Sequence, residues 1–414
     1  MIYNLAIGVY ALIARLISPF HKKAGLMIRG QKQTFKRLQE QIDPQSQYIW
    51  IHAASLGEFE QGRPLIEKIK ADYPEYKILL TFFSPSGYEV RKNSSGTDLV
   101  CYLPFDFSHN AQRFLNLTNP VMAIFIKYEF WMNYLCSLHK RRIPTYIISA
   151  IFRPKQAFFK WYGTVYRSVL KHFDWLFVQD DSSLHLLADY GITNASVSGD
   201  TRFDRVMEIY NHRKSFPLLE RYSEEQTNPR NRILVAGSTW PKDEELIIPY
   251  FNTHPEIKLI IAPHEINDTH LESIISRLKR PFILYSNIAE KTEPLDADCI
   301  IVDCYGILSS IYRYANIAYV GGGFGCGIHN ILEAAVYNIP VLFGPNHRKF
   351  REASDLMACE GGFSVENGDF FEMKMNELLS QREAFLTAGK QAGDYVRRNV
   401  GATELIMKKI FDHA

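Results

Sequence analysis

Short runs of apolar residues, rich in β-branched and aromatic side chains, recur along the chain between stretches of helical periodicity. In the first half they are Tyr48 to Ala54, Lys77 to Phe83, Leu99 to Leu103, Val121 to Ile126, Thr145 to Ala150 and Trp175 to Val178. Because these runs are apolar throughout and do not alternate, they predict strands of a parallel sheet covered by helices on both faces. From about residue 205 to 231 the text turns polar and closes on Asn-Pro, which marks a linker over 206–231. The alternation restarts with Arg232 to Ala236, Ile257 to Ala262, Phe282 to Tyr285, Cys299 to Val302, Ile317 to Val320 and Pro340 to Phe343. Two Rossmann-like α/β domains facing a cleft are expected, over 41–205 and 232–414, behind an N-terminal segment over 1–40. Ligands of such sheets bind at the carboxyl ends of strands, so the loops after each run are where chemistry is sought.

The N-terminal segment follows a different pattern. Residues 2–17 are mostly apolar, but Asn4 and Arg15 interrupt them and Ser18-Pro19 ends the run, short of the roughly 20 residues a membrane span requires. A secretory signal fits poorly, since the first charge lies inside the apolar stretch. A helix lying in the membrane surface is expected, with a true span or a buried amphipathic helix as the open alternatives. Charge sharpens this. Residues 1–39 hold seven Lys or Arg and no Asp or Glu, so with a net charge of +2 the rest of the chain carries −5. Lys22, Lys23, Arg29, Lys32, Lys36 and Arg37 are expected to contact an anionic membrane surface.

At 414 residues, 46% hydrophobic and 22% charged, the chain has an ordinary globular composition, and disorder is not expected. Six cysteines without a C-x-x-C pair point to a reduced compartment and no structural zinc.

Among the loops, Gly321-Gly322-Gly323-Phe324-Gly325-Cys326-Gly327-Ile328-His329-Asn330-Ile331-Leu332-Glu333 is the most distinctive. Bare backbone ahead of a helix suits a phosphate. No Gly-Lys-Ser/Thr follows, so it is not a P-loop. The competing reading is a tight turn with an ordinary cap, Asn330 and Glu333 having N-cap and N3 spacing. In the first half, Glu58 opens a helix after one strand and Glu129 follows another. Each is either a dipole-favoured surface acid or a general base. In the second half, Gly237-Ser238-Thr239 and Pro263-His264 follow strands, and His264 is either a capping histidine or a ligand contact. Asp296-Ala297-Asp298 precedes a strand and reads as a turn.

Taken in order, these loops resemble a family. The motifs are WIHAASLGEFE at 50–60, IKYEFW at 126–131, SGDTRFD at 198–204, AGSTWPKDEE at 236–245, and GIHNILEAA followed by IPVLFGPN. Together they are similar to the 3-deoxy-D-manno-octulosonic acid (Kdo) transferases of lipopolysaccharide assembly. The resemblance implies a GT-B glycosyltransferase fold, association with the cytoplasmic face of the bacterial inner membrane, and inverting transfer of Kdo from CMP-Kdo to a lipid A precursor. It implies no metal or other cofactor and no nucleic acid partner. It further implies that Glu58 is the catalytic base and Glu129 a second essential acid. The donor nucleotide would be held by Gly237, Ser238, Thr239, Pro263, His264, Gly325, Gly327, His329, Asn330 and Glu333, and Arg202 would support the phosphate charge. The chain departs from the family pattern where Pro263-His264-Glu265 stands for an Arg-His pair, where Arg202 replaces a lysine, and where Gly327-Ile328 replaces paired glycines. The alternative in the same architecture is a nucleotide-sugar epimerase or a UDP-sugar transferase. A non-catalytic nucleotide-binding module is the alternative from another class.

Overall fold

The computed structural model describes residues 2–93, 96–224, 232–287, 296–325 and 327–412. Residues 225–231 of the expected linker, and Cys326, lie outside them. The chain divides into two compact units, residues 1–205 with 400–414, and residues 206–399.

The first unit is built on a seven-stranded sheet. Its strands are β1 (Tyr48–Ala53), β2 (Lys77–Phe82), β3 (Leu99–Tyr102), β4 (Met122–Ile126), β5 (Thr145–Ala150), β6 (Trp175–Val178) and β7 (Ala195–Val197). All pair in parallel in the order β3-β2-β1-β4-β5-β6-β7. Every residue of β1 is buried, because alternate side chains feed two separate cores. Trp50 packs with Leu79, Phe125 and Ile147 on one face, while Ile49 and Ile51 pack with Leu80 and Ile124 on the other. A strand with no solvent face leaves no polar alternation to detect, which is why these runs read as continuous.

The second unit repeats the plan. Its strands are β8 (Arg232–Thr239), β9 (Ile257–Pro263), β10 (Phe282–Leu284), β11 (Cys299–Ile301), β12 (Ile317–Val320), β13 (Val341–Phe343) and β14 (Gly362–Ser364). They are parallel and ordered β10-β11-β9-β8-β12-β13-β14. In each sheet the strand order reverses beside the first strand, between β1 and β4 and between β8 and β12. Those are the points where an open α/β sheet leaves a crevice for a ligand.

Three features depart from the sequence reading. Helices Thr201–Asn211 and Pro217–Glu224 occupy part of the expected linker, the first beginning ahead of it. Gly237, Ser238 and Thr239 belong to β8 and are not a loop after it. Ser238 has φ 53° and the register with β9 slips between Gly237 and Thr239, so the strand bulges at its carboxyl end. The chain also returns to the first unit at its C-terminus. Helix Ala402–Phe411 lays Ile406, Met407 and Ile410 on the core beneath β1 and β2, and Phe411 stacks on Tyr73 at 4.0 Å.

At the N-terminus, α1 (Ile2–Ile17) and α2 (Lys22–Gln41) meet at 116°. Among the described residues no single helix is long and apolar enough to cross a membrane. One side of α1 is docked: Ala11 and Ala14 are buried with Met27, Tyr102 and Phe105, and Tyr3 Oη donates to Asp106 at 2.5 Å. The other side leaves Leu5, Val9, Leu12, Leu16 and Ile17 exposed, followed by Phe20. On α2, Lys22, Lys23, Arg29, Lys32 and Lys36 are exposed. Arg37 differs from the expectation of a headgroup contact. It is half-buried and donates to Tyr88 Oη at 2.5 Å and to Gln41 at 3.1 Å, held by the neighbouring helix surface.

Candidate active site

The turn after β1 leads through Ser55 into the helix Leu56–Asp72. Glu58, in its first turn, accepts from Ser55 N at 3.0 Å and Ser55 Oγ at 3.3 Å. That fixes the carboxylate at the helix start and gives the capping reading its due. It does not exhaust the group. Burial pushes the Glu58 pKa up, the charge of Glu129 pushes it further, and His52, the Ser55 amide and Lys127 oppose. A carboxylate destabilised as an anion and flanked by a second acid is suited to accept a proton.

Glu129 follows β4 and is buried. Its Oε2 accepts from Trp131 Nε1 at 2.6 Å and lies 3.0 Å from His52 Nε2. On the other side of the imidazole, His52 Nδ1 is 2.8 Å from Thr81 Oγ1, which also accepts from Trp50 Nε1 at 2.8 Å. His52 is wholly buried inside β1. The relay from β2 through β1 to β4 thus orients Glu129 beside Glu58. Next to it, Lys127 has φ 70° and Ser149, at the end of β5, has φ 53°. Left-handed backbone at non-glycine residues costs energy and collects at functional sites.

Arg202 belongs to a neighbouring network. Its Nε and Nη2 reach Asp200 Oδ2 at 2.9 and 2.7 Å, and Gln61 Nε2 donates to the same carboxylate at 3.2 Å. Burial alone would raise the pKa of Asp200, but the Arg202 charge and these hydrogen bonds outweigh it and hold it low. The guanidinium is therefore largely neutralised by Asp200, which weakens the phosphate-supporting part expected of it.

In the second unit, three aromatic rings gather between the ends of β8, β9 and β12. His264 stacks between Trp240 at 4.9 Å and His329 at 4.2 Å, and Trp240 Nε1 donates to His329 Nε2 at 3.2 Å. Burial lowers the pKa of His329 to about 4, and the neighbouring His264 lowers it too. Burial also lowers that of His264, against the pull of Glu265. Burial thus disfavours the charged form of both imidazoles. Asp243 lies beneath them, wholly buried, accepting from Trp240 N at 2.9 Å, Tyr319 Oη at 2.7 Å and Gly322 N at 2.9 Å.

The glycine loop is organised differently from a free phosphate cradle. Gly321 N donates to Gly237 O, Gly325 N and Gly327 N to Gly322 O, and His329 N to Gly321 O. Those amides hold the loop's own shape. Gly322 takes φ +92°, and at Gly321 a Cβ would fall 2.3 Å from Ser238 O, so these glycines serve a tight turn and close approach to β8. The helix expected at Asn330 is a single turn, Leu332–Ala335, too short for an appreciable dipole. Asn330 Oδ1 accepts from Leu332 N at 3.2 Å and its Nδ2 donates to Glu333 at 3.1 Å. Pro263 closes β9, and His264 N donates to Thr239 O at 2.9 Å.

The model of a family described as 3-deoxy-D-manno-octulosonic-acid transferase (kdotransferase) matches residues 29–205, the part that carries Glu58 and Glu129. The 3-deoxy-D-manno-octulosonic acid transferase of Aquifex aeolicus (strain VF5) is 29% identical over 343 residues, covering 81% of this chain and 87% of that protein. The enzyme of the same name from Haemophilus influenzae is 26% identical over 378 residues, covering 88% and 86%. Over most of its length this chain is similar to the Kdo transferases. Its fold is shared with UDP-GlcNAc 2-epimerase from Neisseria meningitidis bound to UDP-GlcNAc, at 14% identity and a TM-score of 0.62, covering 88% of this chain and all of that one. It is the two-domain Rossmann-like fold of GT-B glycosyltransferases.

The sequence motifs offer both carboxylates as candidates, while the groups that orient Glu129 are visible only in the structure. His52, Trp131, Trp240 and Asp243 were not singled out. One signal was available: His52 is a polar residue inside the run YIWIHA, and a buried imidazole requires partners.

Proposed function

We propose that this protein transfers Kdo from CMP-Kdo to a hydroxyl group of a lipid A precursor, with inversion at the anomeric carbon. The observation that carries this reading is the partly buried Glu58 at the turn after β1, its pKa raised and its neighbour Glu129 held by His52 and Trp131. Glu58 takes the proton of the acceptor hydroxyl as its oxygen forms a bond to the anomeric carbon. The bond from that carbon to the CMP phosphate oxygen breaks, and CMP leaves with the electron pair. The second unit holds the donor, with its neutral ring stack and the Asn330 and Glu333 pair as the nucleotide contacts. No bound metal enters this step. The apolar side of α1 and the lysines of α2 rest on the cytoplasmic face of the bacterial inner membrane, where a phosphorylated lipid acceptor is found.

Incubation with CMP-Kdo and a lipid A precursor tests this by product mass. One or more added Kdo units, formed also in the presence of chelator, is the expected result. Conversion of UDP-GlcNAc to its 2-epimer with no Kdo transfer would overturn it.

A further inference from the structure

The segment Ala157–Tyr166 of the first unit is a built loop that faces outward with its largest side chains. Inward, Phe159 is buried and packs on Tyr190 at 5.1 Å, whose Oη donates to Phe159 O at 3.0 Å, and Phe158 packs on Phe130 at 4.8 Å. Arg167 clamps the turn, Nη1 donating to Phe158 O at 2.8 Å, and Gly163 N closes it onto Lys160 O at 2.8 Å. Outward, Trp161 is 92% exposed and Tyr162 55% exposed, their rings 5.5 Å apart edge to face. A loop this well anchored has no local reason to hold an indole in water, and an exposed Trp-Tyr pair of this kind marks a surface that meets an interface.

Two observations say what that interface is. From residue 130 to 173 the chain has eight Lys or Arg (Lys140, Arg141, Arg142, Arg153, Lys155, Lys160, Arg167 and Lys171) and no Asp or Glu. It is a second acid-free basic segment, far in sequence from the first. The two also meet in the same unit. Tyr166 lies close enough to Tyr3 of α1 to disfavour its ionised form, and Tyr3 in turn accepts from Met132 N at 3.4 Å, at the start of the helix on which the loop's own helix packs. The start of α1 and the helix that follows the Trp161 loop therefore lie near each other in the unit. Amphipathic rings beside cationic side chains and an apolar helix are the composition of a surface that sits at headgroup level in an anionic bilayer.

We propose that the Trp161-Tyr162 loop is a second membrane contact, inserting its rings among the headgroups of an anionic lipid surface while Lys155 and Lys160 pair with lipid phosphate. This rests on the reading of α1 as membrane-associated, and adds a second point of contact that fixes the protein's tilt on the surface.

The test uses the full chain with vesicles of phosphatidylcholine alone and of phosphatidylcholine with phosphatidylglycerol. Trp161→Ser with Tyr162→Ser is expected to lower affinity for the anionic vesicles by about tenfold, and Lys155→Gln with Lys160→Gln by about fivefold per charge at low salt. Lipids brominated near the glycerol should quench wild-type tryptophan fluorescence and lose most of that effect in Trp161→Phe, which keeps the ring. A separate change on α1, Leu12→Ser with Leu16→Ser, reports on the helix. Wild-type binding that falls with the α1 change, but is untouched by the loop changes and shows no Trp161-dependent quenching, would overturn the loop proposal and leave the α1 reading standing. Failure of the wild-type protein to bind any vesicle would overturn both. A concentration-dependent dimer abolished by the Trp161 change, with vesicle binding unaltered, would assign the loop to self-association and overturn the lipid assignment.

Discussion

At the ends of β1 and β4 the first unit sets two carboxylates around one imidazole, while at the ends of β8, β9 and β12 the second sets two imidazoles against one indole. The strand topology at the two reversal points is the same. The difference lies in what each environment does to charge. In the first unit, burial and a like-charged neighbour destabilise an anion, Glu58, so that it will take a proton. In the second, burial strips charge from His264 and His329, leaving a flat uncharged surface, and the acid beneath it is fully occupied by hydrogen bonds. Under the proposed function, one crevice would serve proton transfer and the other would hold a planar ligand. The architecture decides where a site forms, and a few side chains decide its chemistry.

The sharpest way to break this comparison is Glu58→Gln. It keeps the side chain's shape and removes the base, so turnover should fall by about 10² or more while the affinity for CMP-Kdo stays within a few-fold. Near-normal turnover in a steady-state assay would return Glu58 to a helix-capping part.

The counterpart in the second unit is Asp243→Ala, which leaves Trp240 N, Tyr319 Oη and Gly322 N without their acceptor in a dry site. A loss of roughly 3 kcal/mol in stability is expected by denaturant titration, with weaker CMP binding by calorimetry and no change in the pH dependence of the chemical step. A shifted pH profile would mean that the two sites are not divided as described.

A smaller effect is expected of Glu129→Gln. Removing that negative charge relieves Glu58, whose pKa should move down toward the ordinary glutamate value, so the acid limb of kcat/KM against pH should move to lower pH. An unmoved limb would show that Glu129 does not act electrostatically on the base.

The smallest is in the ring stack. With a folded pKa near 4, His329 stays neutral while the unfolded chain's histidine protonates near the ordinary value of about 6.5. Its contribution to stability is therefore present above that value and is lost as pH falls toward 4. In His329→Ala the melting temperature should fall less steeply with falling pH across this window. An unchanged slope from thermal scans would place the proton elsewhere.

Much of this was readable in the chain because of how the sheets are buried. Strands covered on both faces must be apolar at every position, so six of the seven in each sheet stood out as runs. The two that did not, β7 (Ala195–Val197) and β14 (Gly362–Ser364), are three-residue edge strands of mixed small, polar and apolar residues, unlike the equally short edge strand β10, whose Phe282, Ile283 and Leu284 are all apolar. Glu58 and Glu129 stand out as candidates in the sequence because an acid soon after an apolar strand points to the strand's carboxyl end, where such sheets bind ligands. The ring stack was not, since Trp240, His264 and His329 lie far apart in sequence and meet only through strand order. The glycine loop reads two ways in sequence because glycines are required equally by a ligand's approach and by the approach of the protein's own backbone, and here Gly321 packs against β8.

The C-terminal return has a consequence for how the protein is made. Asp204 accepts from Gly401 N, Thr403 N and Thr403 Oγ1, each at 2.6 Å, so the points at which the chain leaves and re-enters the first unit are clasped by one carboxylate. During synthesis, the apolar surface beneath β1 and β2 waits uncovered until all of residues 206–399 have been added and Ile406, Met407 and Ile410 arrive to cover it. The second unit has time to fold on its own first. The unit begun first on the ribosome is thus the last to be finished.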